Sequence, residues 1–500
     1  MSAQTSGPRY RPLAFGVTRV VVRESDGHTY ARADQTLGEH VPRITDRLTH
    51  WATVAPERPF LARRAQNADG TRGDWRVVTY GEALAAVRSI GQALLDAGAS
   101  VDRPLAILSE NSIEHALLGL GAMYVGVPYC PVSTPYSLVS QDFEKLRHVL
   151  GTITPGVVYA ADLARYSRAI NATVAADIPV VCDDPAAGSR TAGKVVALAD
   201  WLATQPTAAV DAAHAATGPD TIAKFLFTSG STKLPKAVIN TQRMLCANQQ
   251  QMRQSMPVLA DADNPPVLVD WLPWNHTFGG NHNFGMVVYH GGTMYIDDGK
   301  PTPALIAETL RNLREIAPTV YFNVPTGFEM IAEAMKTDAQ LRANLLSRVR
   351  LFFHSGTGLA QPVWDSLHAT QEAAIGERIV MCTGLGMTES APSAMFCNSP
   401  DVRSGHIGAP VPGMVLKLVE VDGKTEVRYR GPNVTPGYWR SDAATRDAFD
   451  DEGYLCTGDA VKWIDENNIH RGLAFDGRIA EDFKLSTGTF VSVGPMRAKI

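Results

Sequence analysis

The chain has 500 residues, of which 45% are hydrophobic and 19% are charged, a composition typical of a globular protein with more than one folding unit. Its 46 Lys and Arg residues against 51 Asp and Glu residues give a formal net charge of -5 without a basic cluster, which argues against a nucleic-acid-binding surface. Six scattered cysteines without a Cys-x-x-Cys pair, no signal-peptide core and no apolar run of roughly 18 residues favour a cytoplasmic protein with reduced thiols and no membrane span.

Apolar strand-like runs alternate with amphipathic helical stretches over the first 400 residues. Ala83, Val87, Ile90 and Leu94 recur at helical spacing within 79–98, and a second helix is predicted over 302–316. The predicted buried strands cover residues 103–108, 156–161, 267–272, 319–324 and 349–355. Because strand and helix alternate, the sequence predicts an α/β fold with mainly parallel sheets flanked by helices.

From about Val402 the pattern changes to short strands separated by Gly and Pro, such as 415–421 and 424–431. This change predicts a smaller, all-β region at the end of the chain. We therefore predict a large domain over 1–476. Its parts are two α/β subdomains at about 45–210 and 211–400, and a β-barrel-like subdomain at 401–476.

The stretch FLFTSGSTKLPKAV (225–238) is a strand that runs into a polar loop. The loop supplies hydroxyl groups, a glycine and two lysines: Thr228, Ser229, Gly230, Ser231, Thr232, Lys233 and Lys236. Backbone N–H groups, hydroxyls and a lysine are the parts of a phosphate cradle. The spacing differs from the nucleotide-binding loop G-x-x-x-x-G-K-[ST], and a polar surface loop is the alternative interpretation.

The same loop resembles the signature [YF]-T-S-G-[ST]-T-G-x-P-K of the adenylate-forming superfamily, which includes acyl-CoA synthetases. It departs from that signature at Lys233, where the superfamily generally has glycine. Further superfamily motifs follow in order: FHSGTG (353–358), CTGLGMTES (382–390), YLCTGDA (454–460) and GRIAEDFKL (477–485). The chain is identified as a member of this superfamily. The resemblance implies the large N-terminal domain of the adenylate-forming fold, a hinge at 477–485 and the start of a C-terminal domain at 486–500.

The resemblance also implies roles for individual residues in binding ATP. Thr388 and Lys236 would contact the phosphates, Glu389 would hold Mg²⁺, Asp459 would accept hydrogen bonds from both ribose hydroxyls, and Arg478 would approach ribose and phosphate. The residues implied beside the adenine are Ser355, Gly356, Thr357, Gly384 and Leu385. Taken singly, each of these motifs can also be an ordinary solvated turn.

The segment WLPWNHTFGGNHNFG contains the superfamily pattern L-P-x-x-H-x-x-G, which lines the acyl pocket. The resemblance assigns His276, Phe278 and His282 to acyl binding, and aromatic walls suit a flat aryl acid. Two alternatives stay open at this point. The two histidines can be metal ligands, although their spacing lacks the helical i, i+4 pattern of zinc sites, and the tryptophans can be core residues.

The amino-acid sequence of this segment, together with TGLGMTES and GRIAEDFKLSTGTFVSVGP, resembles the corresponding sequences of bacterial feruloyl-CoA synthetases. That resemblance implies ATP-dependent activation of a hydroxycinnamate such as ferulate to acyl-AMP, and then to acyl-CoA with coenzyme A as co-substrate. The expected partners are thus small lignin-derived aryl acids, and the expected state is a monomer or homodimer. Because most of the superfamily's C-terminal domain would follow the hinge, we expect this 500-residue chain to bind ATP and acid but to turn over poorly.

Three other functions are alternatives to this one. Another aryl or medium-chain acyl-CoA synthetase would share the same motifs. A non-catalytic nucleotide-binding module would keep the adenine and ribose elements without needing an acyl pocket. A serine hydrolase is disfavoured because the sequence contains no G-x-S-x-G nucleophile elbow.

Overall fold

The computed structural model describes residues 8–67, 70–228 and 234–479, and the backbone of two short strands beyond them. The strands are β1 (Val20–Ser25), β2 (His28–Ala33), β3 (Pro59–Gln66), β4 (Arg72–Thr79), β5 (Leu105–Leu108), β6 (Tyr129–Pro131), β7 (Val157–Ala160), β8 (Val180–Cys182), β9 (Val195–Ala197), β10 (Ile222–Thr228), β11 (Lys236–Thr241), β12 (Val267–Asp270), β13 (Thr293–Ile296), β14 (Val320–Asn323), β15 (Leu351–His354), β16 (Val380–Gly386), β17 (Ser393–Phe396), β18 (His406–Pro410), β19 (Val415–Val421), β20 (Lys424–Arg430), β21 (Leu455–Trp463), β22 (Leu473–Arg478), β23 (Phe483–Lys484) and β24 (Phe490–Val491).

Helices lie between most of these strands. The α-helices are α1 (Ile44–Val54), α2 (Tyr80–Asp96), α3 (Ile113–Tyr124), α4 (Pro135–Leu138), α5 (Glu144–Ile153), α6 (Leu163–Thr173), α7 (Leu198–Leu202), α8 (Ala208–Ala216), α9 (Gln242–Ser255), α10 (Phe284–His290), α11 (Ile306–Glu315), α12 (Pro325–Thr337), α13 (Ala339–Arg348), α14 (Gln361–Ile375) and α15 (Asp442–Ala448). A π-helical turn spans Phe278–Asn283, and 3₁₀ turns span Pro257–Ala260, Thr388–Ser390 and Ile469–Arg471.

One sheet has seven strands in the order β11-β10-β6-β5-β7-β8-β9. Its neighbouring strands are parallel except for the antiparallel hairpin of β10 and β11. Every residue of β5 and β7 is buried, as expected for parallel strands covered by helices on both faces. The hairpin forms one edge of the sheet, and its turn is the polar loop identified in the sequence.

A four-stranded sheet has the order β12-β13-β3-β4 and joins distant parts of the chain. β12, β13 and β3 are parallel, and β4 pairs antiparallel with β3. The predicted acid-binding segment and the π-helical turn lie between β12 and β13 in the sequence. Two buried parallel strands therefore anchor the ends of that segment.

The largest sheet has eleven strands, in the order β1-β2-β19-β20-β21-β22-β18-β17-β16-β15-β14. β14, β15 and β16 are parallel, and the strands from β17 onward are antiparallel. The N-terminal hairpin β1–β2 pairs with β19, with Val415 opposite Arg32. The β-rich C-terminal region is thus hydrogen-bonded both to the N-terminal hairpin and to the parallel strands.

The predicted α/β class and the predicted strands are confirmed. β5, β7, β12, β14 and β15 fall within the predicted strand segments, and β19 and β20 within the two predicted for the β-rich region. α2 begins at a capping box in which the Thr79 hydroxyl accepts from the Glu82 N–H, and the Glu82 carboxylate accepts from the Thr79 N–H. Among the described helices, none is long and apolar enough to cross a bilayer. The domain boundaries, the hinge, the cytoplasmic location and the oligomeric state stay predictions.

Candidate active site

The β10–β11 hairpin places Thr228 and Lys236 opposite each other at the two ends of the polar loop. Both side chains are half-buried. The predicted phosphate-binding residues between them, Ser229, Gly230, Ser231, Thr232 and Lys233, lie outside the described residues. The hairpin therefore fixes the points from which the loop leaves and returns, while phosphate binding by the loop itself stays a prediction.

A tyrosine that the sequence analysis missed joins Lys236 to Glu389. The Lys236 ammonium lies 4.7 Å from the centre of the Tyr438 ring, and the Tyr438 hydroxyl donates to Glu389 Oε1 at 2.9 Å. Burial and the adjacent Glu389 carboxylate raise the pKa of Tyr438, so its hydroxyl keeps the proton that it donates. The three side chains form a continuous contact from a cation across an aromatic face to a buried carboxylate.

The Tyr438 segment reaches this position by docking on β11. The Ile239 N–H donates to the Gly437 carbonyl at 3.1 Å, and the Trp439 N–H donates to the Ala237 carbonyl at 2.9 Å. Tyr438 lies 49 residues after Glu389 in the chain. The only signal in the sequence is the Pro-Gly turn before it, which predicts a bend but not a contact with Glu389.

Buried amide groups hold the 3₁₀ turn that carries Thr388 and Glu389. Asn433 Nδ2 donates to the Ser390 carbonyl at 2.5 Å, and Gln251 Nε2 donates to Asn433 Oδ1 at 2.9 Å. Thr388 is half-buried, whereas Glu389 is buried against Tyr438. The turn is thereby fixed from α9, and it presents a hydroxyl and a carboxylate on successive residues.

The predicted adenine-side residues lie at neighbouring carboxyl ends of the parallel strands β15 and β16. His354 pairs with Thr383, so Ser355–Thr357 leave the sheet beside Gly384 and Leu385. A Cβ added at Gly384 would lie 2.3 Å from a backbone oxygen of β17, so this position requires glycine. The carboxyl edge of an α/β sheet is where ligands usually bind. The two predicted segments therefore share one edge suited to a ligand.

The two predicted ribose-side residues form an ion pair. Asp459 and Arg478 are opposite each other in β21 and β22, and Arg478 Nε donates to Asp459 Oδ1 at 3.1 Å. The Asp459 side chain is 6% exposed and that of Arg478 is 53% exposed. The sheet order connects this pair to the adenine-side strands through β18 and β17. Their contact with ribose stays a prediction.

The predicted acid-binding segment folds into the π-helical turn Phe278–Asn283. A Cβ at Gly279 would lie 2.3 Å from the Leu272 carbonyl oxygen, and one at Gly280 would lie 2.3 Å from that of Trp274. The two glycines therefore allow the turn to pack closely on the chain that precedes it. Single π turns occur frequently at functional sites.

Four phenylalanine rings surround the imidazole of His282, which is 1% exposed. The ring centres of Phe278, Phe322, Phe353 and Phe396 lie 5.4, 5.1, 5.3 and 6.1 Å from it. Phe353 and Phe396 belong to β15 and β17, which flank the strand that leads to Gly384. Flat apolar walls thus lie directly beneath the predicted adenine-side edge.

The other residues of this segment have different surroundings. The His276 side chain is exposed, and its carbonyl accepts the Gly280 N–H at 2.8 Å at the start of the π turn. Trp274 is buried with its ring 4.8 Å from that of Phe284, as the core interpretation expects. Of the three predicted acid-binding residues, the structure brings Phe278 and His282 together and leaves His276 at the surface.

Glu389 is the best candidate for holding a metal ion. The described part of the chain contains no group of three or more His, Cys, Asp or Glu residues able to hold a metal. Mg²⁺ is commonly bound by one or two carboxylates together with substrate phosphates and water. One buried carboxylate near the predicted phosphate loop fits that mode, whereas His282, enclosed by phenylalanine rings, does not suit the alternative of a histidine metal site.

The chain is similar in sequence and in fold to known proteins. The chain is 27% identical over 314 residues to Long-chain-fatty-acid--CoA ligase 6 of Mus musculus, covering 55% of this chain and 44% of that protein. It is 24% identical over 506 residues to Long chain acyl-CoA synthetase 6, peroxisomal, of Arabidopsis thaliana, covering 90% and 68%. The chain thus spans less than half the length of the mouse relative.

The crystal structure of the anthranilate CoA ligase AuaEII in complex with anthranoyl-AMP superposes with a TM-score of 0.72 at 20% identity, covering 93% of this chain and 82% of that one. This likeness confirms the predicted α/β fold. The sequence profile of the AMP-binding enzyme family matches residues 48–439, which is most of the chain. The protein therefore belongs to the AMP-binding enzyme family.

Proposed function

We propose that the chain activates an aryl carboxylic acid of the hydroxycinnamate class, such as ferulate, with ATP, and that it then transfers the acyl group to coenzyme A. The observation that carries the proposal is the contact of Lys236, Tyr438 and Glu389 at the end of the hairpin loop. It supplies a cation and an acidic metal ligand where the polyphosphate of ATP is expected. The ring-walled site at His282 supplies a place for the acid.

In the first half-reaction, a carboxylate oxygen of the acid attacks the α-phosphorus of ATP. A phosphorus–oxygen bond forms to the acid, the bond to the β-phosphate bridging oxygen breaks, and pyrophosphate leaves. Two anions must approach each other, so positioning and charge neutralisation dominate the barrier.

Each proposed residue contributes to that neutralisation or to positioning. Lys236 would offset phosphate charge, and the Tyr438 hydroxyl holds the Glu389 carboxylate, which would bind Mg²⁺. Bound Mg²⁺ would neutralise phosphate charge and favour departure of pyrophosphate. Thr388 hydrogen-bonds phosphate oxygens, and Asp459 with Arg478 holds the ribose. Because the Arg478 side chain is exposed, its guanidinium can move to contact a nucleotide while it stays in contact with solvent.

In the second half-reaction, the coenzyme A thiol attacks the acyl carbon. A carbon–sulfur bond forms, the bond to the AMP oxygen breaks, and the thiol proton is lost. This step follows a movement about the proposed hinge at 477–485, and such conformational steps often set the turnover rate.

The aryl preference is supported by the walls of the acid site. The rings around His282 are flat, and they match an aromatic substrate through offset or edge-on contacts. A second candidate is a medium- or long-chain fatty acid, because the curated relatives carry long-chain acyl names. Flat ring faces at His282 favour contact with an aryl acid over contact with a flexible alkyl chain.

The test is acid-dependent release of pyrophosphate by the chain with ATP and Mg²⁺. The acid panel contains ferulate, coumarate, benzoate, octanoate and palmitate, and Glu389→Gln serves as the variant that should lose the activity. We expect ferulate and coumarate to give the highest kcat/KM. Higher values for octanoate or palmitate would reject the aryl class, and nucleotide binding without pyrophosphate release by any acid would favour a non-catalytic module.

A further inference from the structure

His282 is the first of three buried polar side chains that are linked by hydrogen bonds. Its Nδ1 lies 2.8 Å from Asn283 Oδ1, and Asn283 Nδ2 donates to Asp270 Oδ1 at 3.0 Å. Asp270 is 2% exposed and Asn283 is fully buried. Asp270 ends β12, so a buried strand fixes the far end of the chain. The sequence analysis identified His282 but neither of the residues behind it.

This chain of hydrogen bonds determines where His282 carries its proton. Asn283 Nδ2 is used on Asp270, so the amide presents its oxygen to His282. An oxygen at 2.8 Å from a ring nitrogen requires a hydrogen on that nitrogen, so Nδ1 carries it. Burial lowers the pKa of His282 to about 4, and the ring is therefore neutral at physiological pH. Nε2 is left with a lone pair and no hydrogen.

The Asp270 end of the chain accepts a hydrogen bond from Asn283 through Oδ1. Burial raises the pKa of Asp270 to about 8, while Asn283 and the Leu272 backbone lower it. Oδ2 has no hydrogen-bond partner among the described residues. Oδ1 is the oxygen that faces Asn283. With Oδ1 accepting from the amide nitrogen, the amide oxygen faces His282 and selects the tautomer with hydrogen on Nδ1.

The free nitrogen of His282 points to a ligand with a hydrogen-bond donor. Nε2 has no partner within the described parts of the chain, although it is fully buried among the phenylalanine rings. A water molecule there would need two or more polar partners, and the rings offer none beyond Nε2. A hydroxyl or amino group on a flat apolar ring needs only one acceptor, and the site supplies one. Of the four rings, only Phe278 is partly exposed, and the other three are buried.

We propose that Asp270 and Asn283 are positioning residues that fix His282 as an obligate hydrogen-bond acceptor, which makes His282 the specificity-determining residue for aryl acids with a donor at the end remote from the carboxylate. The carboxylate must reach the nucleotide at the strand ends, so the buried end of the acid is the one that meets His282. This inference rests on the proposed function, because it assumes that an aryl acid occupies the site.

The first test compares three acids that differ only at the ring position remote from the carboxylate: 4-hydroxycinnamate, 4-methoxycinnamate and cinnamate. For the unaltered chain we expect kcat/KM for acid-dependent pyrophosphate release to be about 100-fold higher with the hydroxy acid, because a site built for a donor rejects analogues without one. His282→Leu should bring the three values within a few-fold of one another. Phe322→Leu, which alters the same wall without a polar atom, should leave the hydroxy preference in place.

Asn283→Asp tests the positioning role. A carboxylate beside Nδ1 favours the imidazolium, so Nε2 gains a hydrogen and becomes a donor. We expect this variant to prefer 4-methoxycinnamate over 4-hydroxycinnamate, a reversal that loosened packing alone would not produce. A hydroxy preference that survives in both His282→Leu and Asn283→Asp would overturn the proposal.

A spectroscopic test separates this inference from the proposed function. In the full chain labelled with ¹⁵N-histidine, long-range ¹H–¹⁵N correlation spectra distinguish the two neutral tautomers, and the His282 signals are those lost in His282→Leu. We expect the Nδ1–H tautomer from pH 6 to pH 8. Detection of the Nε2–H tautomer would refute the positioning role of Asp270 and Asn283, even if ferulate is a good substrate. If the expected tautomer is found but no aryl acid releases pyrophosphate, the proposed function fails and the substrate-selecting role with it.

Discussion

Lys224 is a buried lysine in β10 for which the described residues provide no carboxylate within ion-pair distance. It is 2% exposed, and its ammonium has two favourable contacts. Nζ donates to the Gly280 carbonyl at 3.2 Å and lies 5.2 Å from the centre of the Tyr129 ring. A carbonyl and an aromatic face replace only part of the water that the ammonium loses on folding. We therefore predict that Lys224→Met stabilises the protein.

The size of the effect follows from the pKa. Burial lowers the pKa of Lys224 from 10.5 to about 7. At about 1.4 kcal/mol per pKa unit, the folded state disfavours the ammonium by about 5 kcal/mol relative to the unfolded chain. Methionine has a similar length and no charge, but it leaves the Gly280 carbonyl without its donor, which costs about 1–3 kcal/mol. The net expectation at pH 7 is a gain of about 2–4 kcal/mol in the free energy of unfolding.

The pH dependence is the sharper part of this prediction. Below pH 7 the folded and unfolded chains both carry the ammonium, so the full penalty of the wild type applies. Between pH 7 and 10.5 the folded chain has lost the proton that the unfolded chain still binds, so wild-type stability rises with pH. The advantage of Lys224→Met should therefore shrink by about 3 kcal/mol between pH 7 and pH 10.

Urea unfolding followed by tryptophan fluorescence at pH 6, 7, 8 and 10 measures this difference. Lys194→Met, at an exposed position, is the matched control and should show no change with pH relative to wild type. A Lys224→Met protein that is less stable than wild type at pH 7 would refute the reasoning. A difference between the two proteins that does not change with pH would refute it equally, because packing effects of methionine do not titrate.

Four further substitutions test the candidate active site through initial rates of acid-dependent pyrophosphate release. Lys236→Met should lower kcat/KM by about 10²–10³-fold, because it removes the cation expected to offset phosphate charge. Tyr438→Phe should lower it by about 10-fold, since Glu389 loses a hydrogen-bond donor while the ring under Lys236 remains. Asp459→Asn should raise KM for ATP by about 10-fold and leave KM for the acid unchanged, because only the ribose contact weakens. Gln249→Leu should raise KM for the acid and leave KM for ATP unchanged, because the Gln249 side chain donates to the His282 carbonyl. For either variant, equal changes in the two KM values would contradict the assignment.

Local pattern was sufficient to predict the parallel strands and their polar exits. Apolar runs predicted β5, β7 and β15 because strands buried on both faces leave little room for other residue types. The hairpin that pairs Thr228 with Lys236 was not predicted, because the sequence pattern indicated a strand only before the polar loop. Long-range pairing could not be predicted in this way. The N-terminal hairpin pairs with β19, and nothing in the sequence of Val20–Ala33 identifies a partner hundreds of residues away.

The residues that sequence reasoning missed are polar groups whose neighbours are distant in the chain. Lys224 is a single lysine in an apolar strand, and the sequence alone does not show that its side chain is buried. Tyr438 follows a turn, and its contact with Glu389 depends on the docking of two segments on β11. Asp270 and Asn283 flank a loop that contains the candidate histidines His276 and His282. The hydrogen bond between Asp270 and Asn283 forms only because the π turn folds back on β12. Each contact depends on tertiary packing, which overrides local pattern.

Helix α9 contacts both the acid-binding part and the nucleotide-binding part of the candidate active site. Its sequence, QRMLCANQQQMRQS, has the polarity of a surface helix, but Asn248, Gln249 and Gln251 are buried. Gln249 donates to the carbonyl of His282 at 3.3 Å, on the acid side. Gln251 donates to Asn433, which in turn holds the Ser390 carbonyl behind Glu389, on the nucleotide side.

Amide side chains suit this position because they donate and accept without carrying a charge that burial would penalise. Leucine at the same positions would add apolar packing but would leave the His282 carbonyl and the Asn433 side-chain oxygen without these donors. One rigid helix therefore sets the positions of His282 and Glu389 relative to each other. In the proposed reaction, a misplacement of about 1 Å between the bound acid and the α-phosphorus is enough to lower the rate about 10²-fold, so the buried polarity of α9 is consistent with a role in positioning the two parts of the site.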